Sequence, residues 1–248
     1  MRAIILAAGR GSRMGHLGDE RPKCLVEFGG RPLLERQVNA LRGGGAQAVG
    51  VVRGYRAEMI ELPDLTYFHN ERWAETNMVM SLATAAEWLN AGSVFVSYAD
   101  IFYRSELVRE LAAAAGDLVI TYDRAWRSLW SRRFVDPLAD AETFRADASG
   151  RLIEIGGKTS SIAEIGGQYM GLLKFTPRGW RDVEALLATL DTRTRDRLDM
   201  TGLLQRLLGK NVAIGTIGTD GQWGEIDNPS DLALYERMAK DGELSLEN

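Results

Sequence analysis

Arg2-Ala3-Ile4-Ile5-Leu6-Ala7-Ala8-Gly9-Arg10-Gly11-Ser12-Arg13-Met14 opens the chain, and its reading decides the fold. The apolar run over residues 3–7 is continuous, not alternating, which marks a strand buried on both faces, as in a parallel sheet. Gly9 and Gly11 then form a loop whose backbone can approach a polyphosphate and aim N–H groups at it. Arg13, and Lys23 ten residues later in Arg21-Pro22-Lys23, would neutralise the phosphates and a departing pyrophosphate. A Walker loop would need Gly-Lys-Ser/Thr, which is absent. A dinucleotide loop would need a third glycine where Met14 stands, and Gly15 comes one residue late.

Outward from this loop, strand and helix patterns alternate. Pro32 begins a helix carrying Leu33, Leu34, Val38 and Leu41 on one face, stopped by Gly43-Gly44-Gly45. Short apolar runs at 48–52, 65–68, 93–97 and 118–122 read as strands, with helices over 78–89 and 105–115. Beyond Tyr122 the character changes. Residues 143–147 and 151–155 read as two short strands around Ser149-Gly150, part of a β-rich lid. A strand over 168–175, helices over 177–190 and 200–208, a strand over 212–217 and a closing helix from Pro229, capped by Asn228, complete the chain. The expected fold is α/β: a Rossmann-like, doubly wound, mostly parallel sheet with a small β-rich insert. Residues 1–248 read as one domain, with 123–175 as an acceptor-binding lobe. The tail 241–248 reads as polar and frayed.

Composition narrows the function. A net charge of −4 and a pI near 5.4 give no basic footprint for nucleic acid, yet leave room for a nucleotide held by a few cations and amides. The single cysteine, Cys24, forms no internal disulfide and fits a small buried hydrophobe in a reducing compartment. No apolar stretch suits a signal peptide or a membrane span, so a cytoplasmic location is expected. His16 and His69 are too far apart to suggest zinc, and Ser12 and Ser160-Ser161 have no histidine partner for a triad. The charges of residues 193–197 read as a solvated loop.

The string from Leu6 to Met14, with Pro22-Lys23-Cys24-Leu25-Val26 and Gly30-Arg31-Pro32-Leu33-Leu34-Glu35, resembles the signature of the sugar-phosphate nucleotidyltransferase superfamily. The resemblance continues at Gly54-Tyr55, at Asp100 and through Glu225-Ile226-Asp227-Asn228-Pro229-Ser230-Asp231-Leu232. It implies direct in-line attack on the α-phosphorus of a nucleoside triphosphate, with Mg²⁺ on Asp100 and Asp227. Hard carboxylate oxygens at strand ends suit that ion. It further implies a nucleotide site made of Leu6, Ala8, Gly9, Gly11, Ser12, Arg13, Lys23, Tyr55, Asn77 and Ser81.

Asn70-Glu71-Arg72-Trp73, Thr76-Asn77 through Ser81-Leu82, Asp140-Ala141-Glu142-Thr143-Phe144 and Gly156-Gly157-Lys158 resemble the phosphocholine and phosphonate cytidylyltransferase branch. This branch implies CTP and a small acceptor bearing phosphate or phosphonate and an amine. The alternatives are a sugar 1-phosphate enzyme using UTP, dTTP or GTP, and a non-catalytic nucleotide-binding regulator. Tyr122, Trp126 and Trp130 are either an aromatic wall for a cationic acceptor or packing of a lid; Trp126 and Trp130 are spaced as on one helix face. Asp123, Asp140 or Glu142 would add counter-charge. Arg133 and Lys158 are either acceptor-phosphate ligands or surface charges, and Gln168 joins the acceptor candidates. Trp223 reads as core packing or pocket wall. The acceptor's identity and the oligomeric state stay open.

Overall fold

The structure is a computed structural model, and it describes residues 1–15 and 21–246. His16 lies outside the described residues. In chain order the strands are β1 (Arg2–Ala7), β2 (Glu27–Phe28), β3 (Arg31–Pro32), β4 (Ala48–Arg53), β5 (Leu65–His69), β6 (Val94–Tyr98), β7 (Ile101–Tyr103), β8 (Leu118–Asp123), β9 (Phe144–Ala146), β10 (Leu152–Ile155), β11 (Gln168–Phe175), β12 (Gly215–Thr219) and β13 (Trp223–Glu225). The α-helices are α1 (Leu33–Gly43), α2 (Met78–Ala83), α3 (Ala86–Ala91), α4 (Ser105–Ala113), α5 (Trp126–Arg133), α6 (Pro177–Ala188), α7 (Thr192–Asp196), α8 (Met200–Gly209) and α9 (Pro229–Lys240).

Seven strands make the central sheet, in the order β12-β8-β11-β6-β1-β4-β5. β11 alone runs against its neighbours β6 and β8; the remaining pairings are parallel. β1 lies in the middle, and period-two alternation sends its side chains to opposite faces. Ala3 and Ile5 join a core with Val49, Val51, Leu33, Leu34 and Val108, while Ile4 joins another with Val52, Val96, Trp180 and Leu203. Helices α1 and α4 cover the Ile5 side, and α3, α6 and α8 the Ile4 side. This is the mostly parallel, doubly wound sheet expected from the sequence. None of the described helices is long and apolar enough to cross a membrane.

Several local readings need correction. The helix read over 78–89 is two pieces, α2 and α3, separated where Thr84 Oγ1 turns back onto the Ser81 carbonyl at 2.7 Å. The segment read as a solvated loop contains α7, capped by Asp191, and its Asp196 is buried. The tail is not frayed through its described part: Leu244 is buried, and the Glu243 and Leu244 amides donate to the Met238 carbonyl.

Candidate active site

The site grows from the carboxyl end of β1. Gly11 takes the left-handed conformation (φ 67°), and a Cβ there would lie 2.8 Å from the Lys23 Cβ. Only glycine therefore lets the lysine cross beneath the loop. Pro22 starts the short 3-10 turn Lys23–Leu25, and Lys23 is nearly buried. On the neighbouring strand, β6 ends at Tyr98 and delivers Asp100. The antiparallel ribbon of β7 and β13 pairs Glu225 with Ile101, and the Ile226 amide donates to the Asp100 carbonyl at 2.9 Å. That register brings Asp227 beside Asp100 across 127 positions of sequence (227 − 100).

Lys23 Nζ joins the two carboxylates, donating to Asp100 Oδ2 at 2.7 Å and to Asp227 Oδ1 at 2.5 Å. Arg13 Nη1 stands 2.9 Å from Asp227 Oδ2. Behind the cluster, the Asp227 amide donates to Asp231 Oδ2 at 2.9 Å, within the capping box of α9. Arg133 on α5 grips Asp231 through Nε and Nη2, at 2.9 and 3.1 Å.

Charge in this cluster is strongly coupled. Burial works against the Lys23 ammonium, but Asp100, Asp227 and Glu225 outweigh it and hold its pKa above the usual lysine value. Burial, reinforced by Asp100 and Asp227, pushes the Glu225 carboxyl up to about 8 despite Arg133 and Lys23. One oxygen each from Asp100, Glu225 and Asp227 can lie within 4.8 Å of one another, and Asp100 Oδ1 is buried without a hydrogen-bond partner among the described residues. An all-carboxylate oxygen set with an unsatisfied buried atom fits a hard divalent cation such as Mg²⁺.

Two cavities meet here. The larger, about 310 Å³, is lined by the β1 loop, Lys23, Asn77, Ser81 and Asp100, with Trp73 and Tyr98. The second, about 180 Å³, is lined by Asp140, Glu142, Gln168 and Tyr169 with Glu225 and Asp227. Arg13 lines both.

Residues 3–159 match the family model described as a MobA-like NTP transferase domain. The chain belongs to this family. Among similar proteins, the CTP:phosphoglutamine cytidylyltransferase of Campylobacter jejuni is 36% identical over 94% of this chain and 98% of its own. The 2-aminoethylphosphonate cytidylyltransferase of Lancefieldella rimae is 30% identical over 67% of this chain and 65% of its own. The inositol-1-phosphate CTP transferase structure from T. maritima superposes with a TM-score of 0.75, covering 98% of this chain and 97% of that one. At 20% identity that last likeness bears on the fold.

In this NTP transferase domain the sequence candidates separate. Leu6, Ala8, Gly9, Gly11, Ser12, Arg13, Lys23, Asn77 and Ser81 line the larger cavity. Tyr55 does not; it packs edge-on against Trp73, which does. Asn77 caps α2, and Ser81 accepts from Asn70 at 3.0 Å. Of the acceptor candidates, Trp130 and Gln168 line the second cavity. Tyr122 stacks on Phe144 at 4.6 Å and lies outside that lining, as does Trp126, buried in the core on α5. Asp123 is buried and caps the turn, accepting from the Ala125 and Gly221 amides. Arg133 is neither a surface charge nor open to a phosphate: its side chain is 1% exposed and holds Asp231. Lys158 donates to the Asp140 carbonyl at 3.2 Å. Trp223 packs tilted against Trp130 in the core, with ring centroids 6.2 Å apart.

Glu225 and Tyr169 line the second cavity but were not among the sequence candidates. Glu225 had a signal, since on an extended chain it shares a face with Asp227 two positions on. Tyr169 had none, because β11 shifts register between Tyr169 and Leu173, around Gly171 with φ 78°.

Proposed function

We propose that this NTP transferase is an Mg²⁺-dependent cytidylyltransferase that moves CMP from CTP to the phosphate or phosphonate of a small, amine-bearing acceptor. The observation that carries the reading is the meeting of two cavities at one charged cluster. A transfer between two bound molecules needs that arrangement, since it turns a bimolecular step into an encounter held in place. The cytidylyltransferase relatives support CTP as donor.

On this reading CTP occupies the larger cavity, its phosphates over residues 9–13, with Asn77 and Ser81 toward the nucleoside. The acceptor occupies the second, within residues 123–175. Its anionic oxygen needs no general base, because it is deprotonated at neutral pH. That oxygen bonds to the α-phosphorus as the α–β bridging oxygen leaves with pyrophosphate. Lys23 and Arg13 stabilise the charge that builds on the phosphate oxygens. Asp100 and Asp227, with Glu225 beside them, would hold Mg²⁺, which supplies Lewis-acid stabilisation of those oxygens.

The test crosses CTP, UTP, dTTP and GTP against phosphoethanolamine, 2-aminoethylphosphonate, phosphocholine, phosphoglutamine and glucose 1-phosphate, reading pyrophosphate release with and without Mg²⁺. Metal-dependent release with CTP and an amine-bearing acceptor is the expected result. Release only with glucose 1-phosphate would refute the acceptor class and leave the two-cavity centre standing.

A further inference from the structure

We propose that Glu142 and Asp140 form a hydrogen-bonding ammonium subsite, which selects acceptors bearing a primary ammonium over those bearing a trimethylammonium group. This rests on reading the second cavity as the acceptor site. The cavity that contains these two carboxylates also contains Arg13 and Asp227, so a short acceptor can place its phosphate at the cluster and its amine at Glu142 and Asp140.

Both groups are held in place from behind. Gln168 clamps the Glu142 backbone twice, accepting from its amide at 3.2 Å and donating to its carbonyl at 2.7 Å. The Glu142 carboxylate itself receives no hydrogen bond among the described residues. It is half-buried, and burial, with Asp199 and Asp140 nearby, raises its pKa although Lys158 opposes the shift. Asp140 Oδ2 accepts from Trp130 Nε1 at 3.0 Å, which fixes that carboxylate's direction. Lys158 hydrogen-bonds the Asp140 main chain and neither carboxylate. A half-buried anion with fixed backbone and no donor is poised for a cationic donor.

The two kinds of amine ask for different walls. A primary ammonium offers three N–H donors. A trimethylammonium offers none and is held by aromatic faces. Here those faces are engaged elsewhere. Tyr122 lies outside the lining, stacked on Phe144, which lines the cavity but is only 1% exposed. Tyr169, also in the lining, packs edge-on against Tyr98 at 5.9 Å, and Trp126 faces the core. Trp130 lines the cavity, but the Arg133 guanidinium lies over its ring at 5.1 Å and Trp223 stands against it at 6.2 Å. The three lining rings, Trp130, Phe144 and Tyr169, are each packed against another ring, so what the cavity offers an amine is the carboxylate oxygens of Asp140 and Glu142.

The experiment follows CMP transfer from CTP to 2-aminoethyl phosphate and its N-methyl, N,N-dimethyl and N,N,N-trimethyl derivatives. For the wild-type chain, kcat/KM is expected to fall at least roughly tenfold from the primary to the trimethylated acceptor, chiefly through KM. Glu142→Gln should bring that ratio to within about threefold by weakening the primary acceptor, with KM for CTP unchanged. Asp140→Asn should shift it in the same direction. The wild-type series needs no variant, so it decides the question even if a variant fails to fold. Equal use of all four acceptors by the wild type would overturn the subsite. So would a Glu142→Gln enzyme that loses activity in parallel across the series. No turnover with the series, but turnover with another acceptor, overturns the subsite alone; no turnover of CTP with any acceptor overturns the underlying reading too.

Discussion

Replacing Arg133 with methionine isolates the support beneath the charged cluster. The Arg133 and Asp231 side chains are 1% and 3% exposed, and their paired contacts of 2.9 and 3.1 Å form a buried fork. Removing one partner of such a pair costs about 3–5 kcal/mol, because the other charge stays buried. Asp231 keeps two backbone donors, from Asp227 and Asn228, and sits in the first turn of α9, where the helix dipole favours an anion. Both soften the loss, and methionine refills the stem, which points to about 3 kcal/mol. For a chain of this length each kcal/mol is worth about 2–4 °C, so Tm should fall by roughly 6–12 °C. Thermal and urea unfolding of Arg133→Met, Asp231→Asn and the double variant would give a coupling above about 1.5 kcal/mol between the two sites. A loss below about 1 kcal/mol, the range of an exposed pair, would refute the buried-fork reasoning. An intact fold with KM raised for the acceptor alone would return Arg133 to the role of phosphate ligand.

Other consequences are as direct. Gly11→Ala forces a side chain into a left-handed position against the Lys23 Cβ, so kcat should fall at least roughly tenfold at a stability cost of about 1–2 kcal/mol, read by steady-state kinetics and circular dichroism. Cys24 is buried and its thiol is pushed up to about 12, so iodoacetamide at pH 8 should label it only after unfolding. Because the folded thiol holds its proton more tightly than the unfolded one, Cys24 contributes stability that is complete below the ordinary thiol pKa and declines as pH rises from there toward 12. Asp196→Asn breaks the 2.5 Å contact with Arg72 beside Asn77, whose amide donates to the Asp196 carbonyl at 2.7 Å. The KM for CTP should rise several-fold with kcat nearly unchanged, and an unaltered KM would show that α7 does not support the nucleotide rim.

The parts of this fold that were legible have a local cause. A continuous apolar run followed by Gly9 and Gly11 dictates a buried strand and a glycine loop whatever surrounds it, and Asp100 takes its place just beyond the end of β6. The second cavity was less legible because a residue's place there depends on which face it meets. Trp126 and Trp130 share a helix and are both buried in the core, yet only Trp130 also lines the cavity. Arg133 had the chemistry of a phosphate ligand, and only the arrival of α9 from far along the chain makes it a structural clamp. The direction of β11 depends on its place between β6 and β8, which no residue within 168–175 encodes. At α7, alternating charge suggested a solvated loop, although the Asp191 cap three residues before Thr194 was present in the sequence.

The measurement closest to the centre is single-turnover formation of the CMP–acceptor product by the wild type, Asp100→Asn and Asp227→Asn, followed by ³¹P NMR beside thermal unfolding. If the transfer occurs at the Lys23–Asp100–Asp227 cluster, the wild type should release one pyrophosphate per product. Each variant should then lose roughly a thousandfold in rate, about 4 kcal/mol of barrier, while remaining folded. Folded variants that retain the wild-type rate would place the chemistry elsewhere.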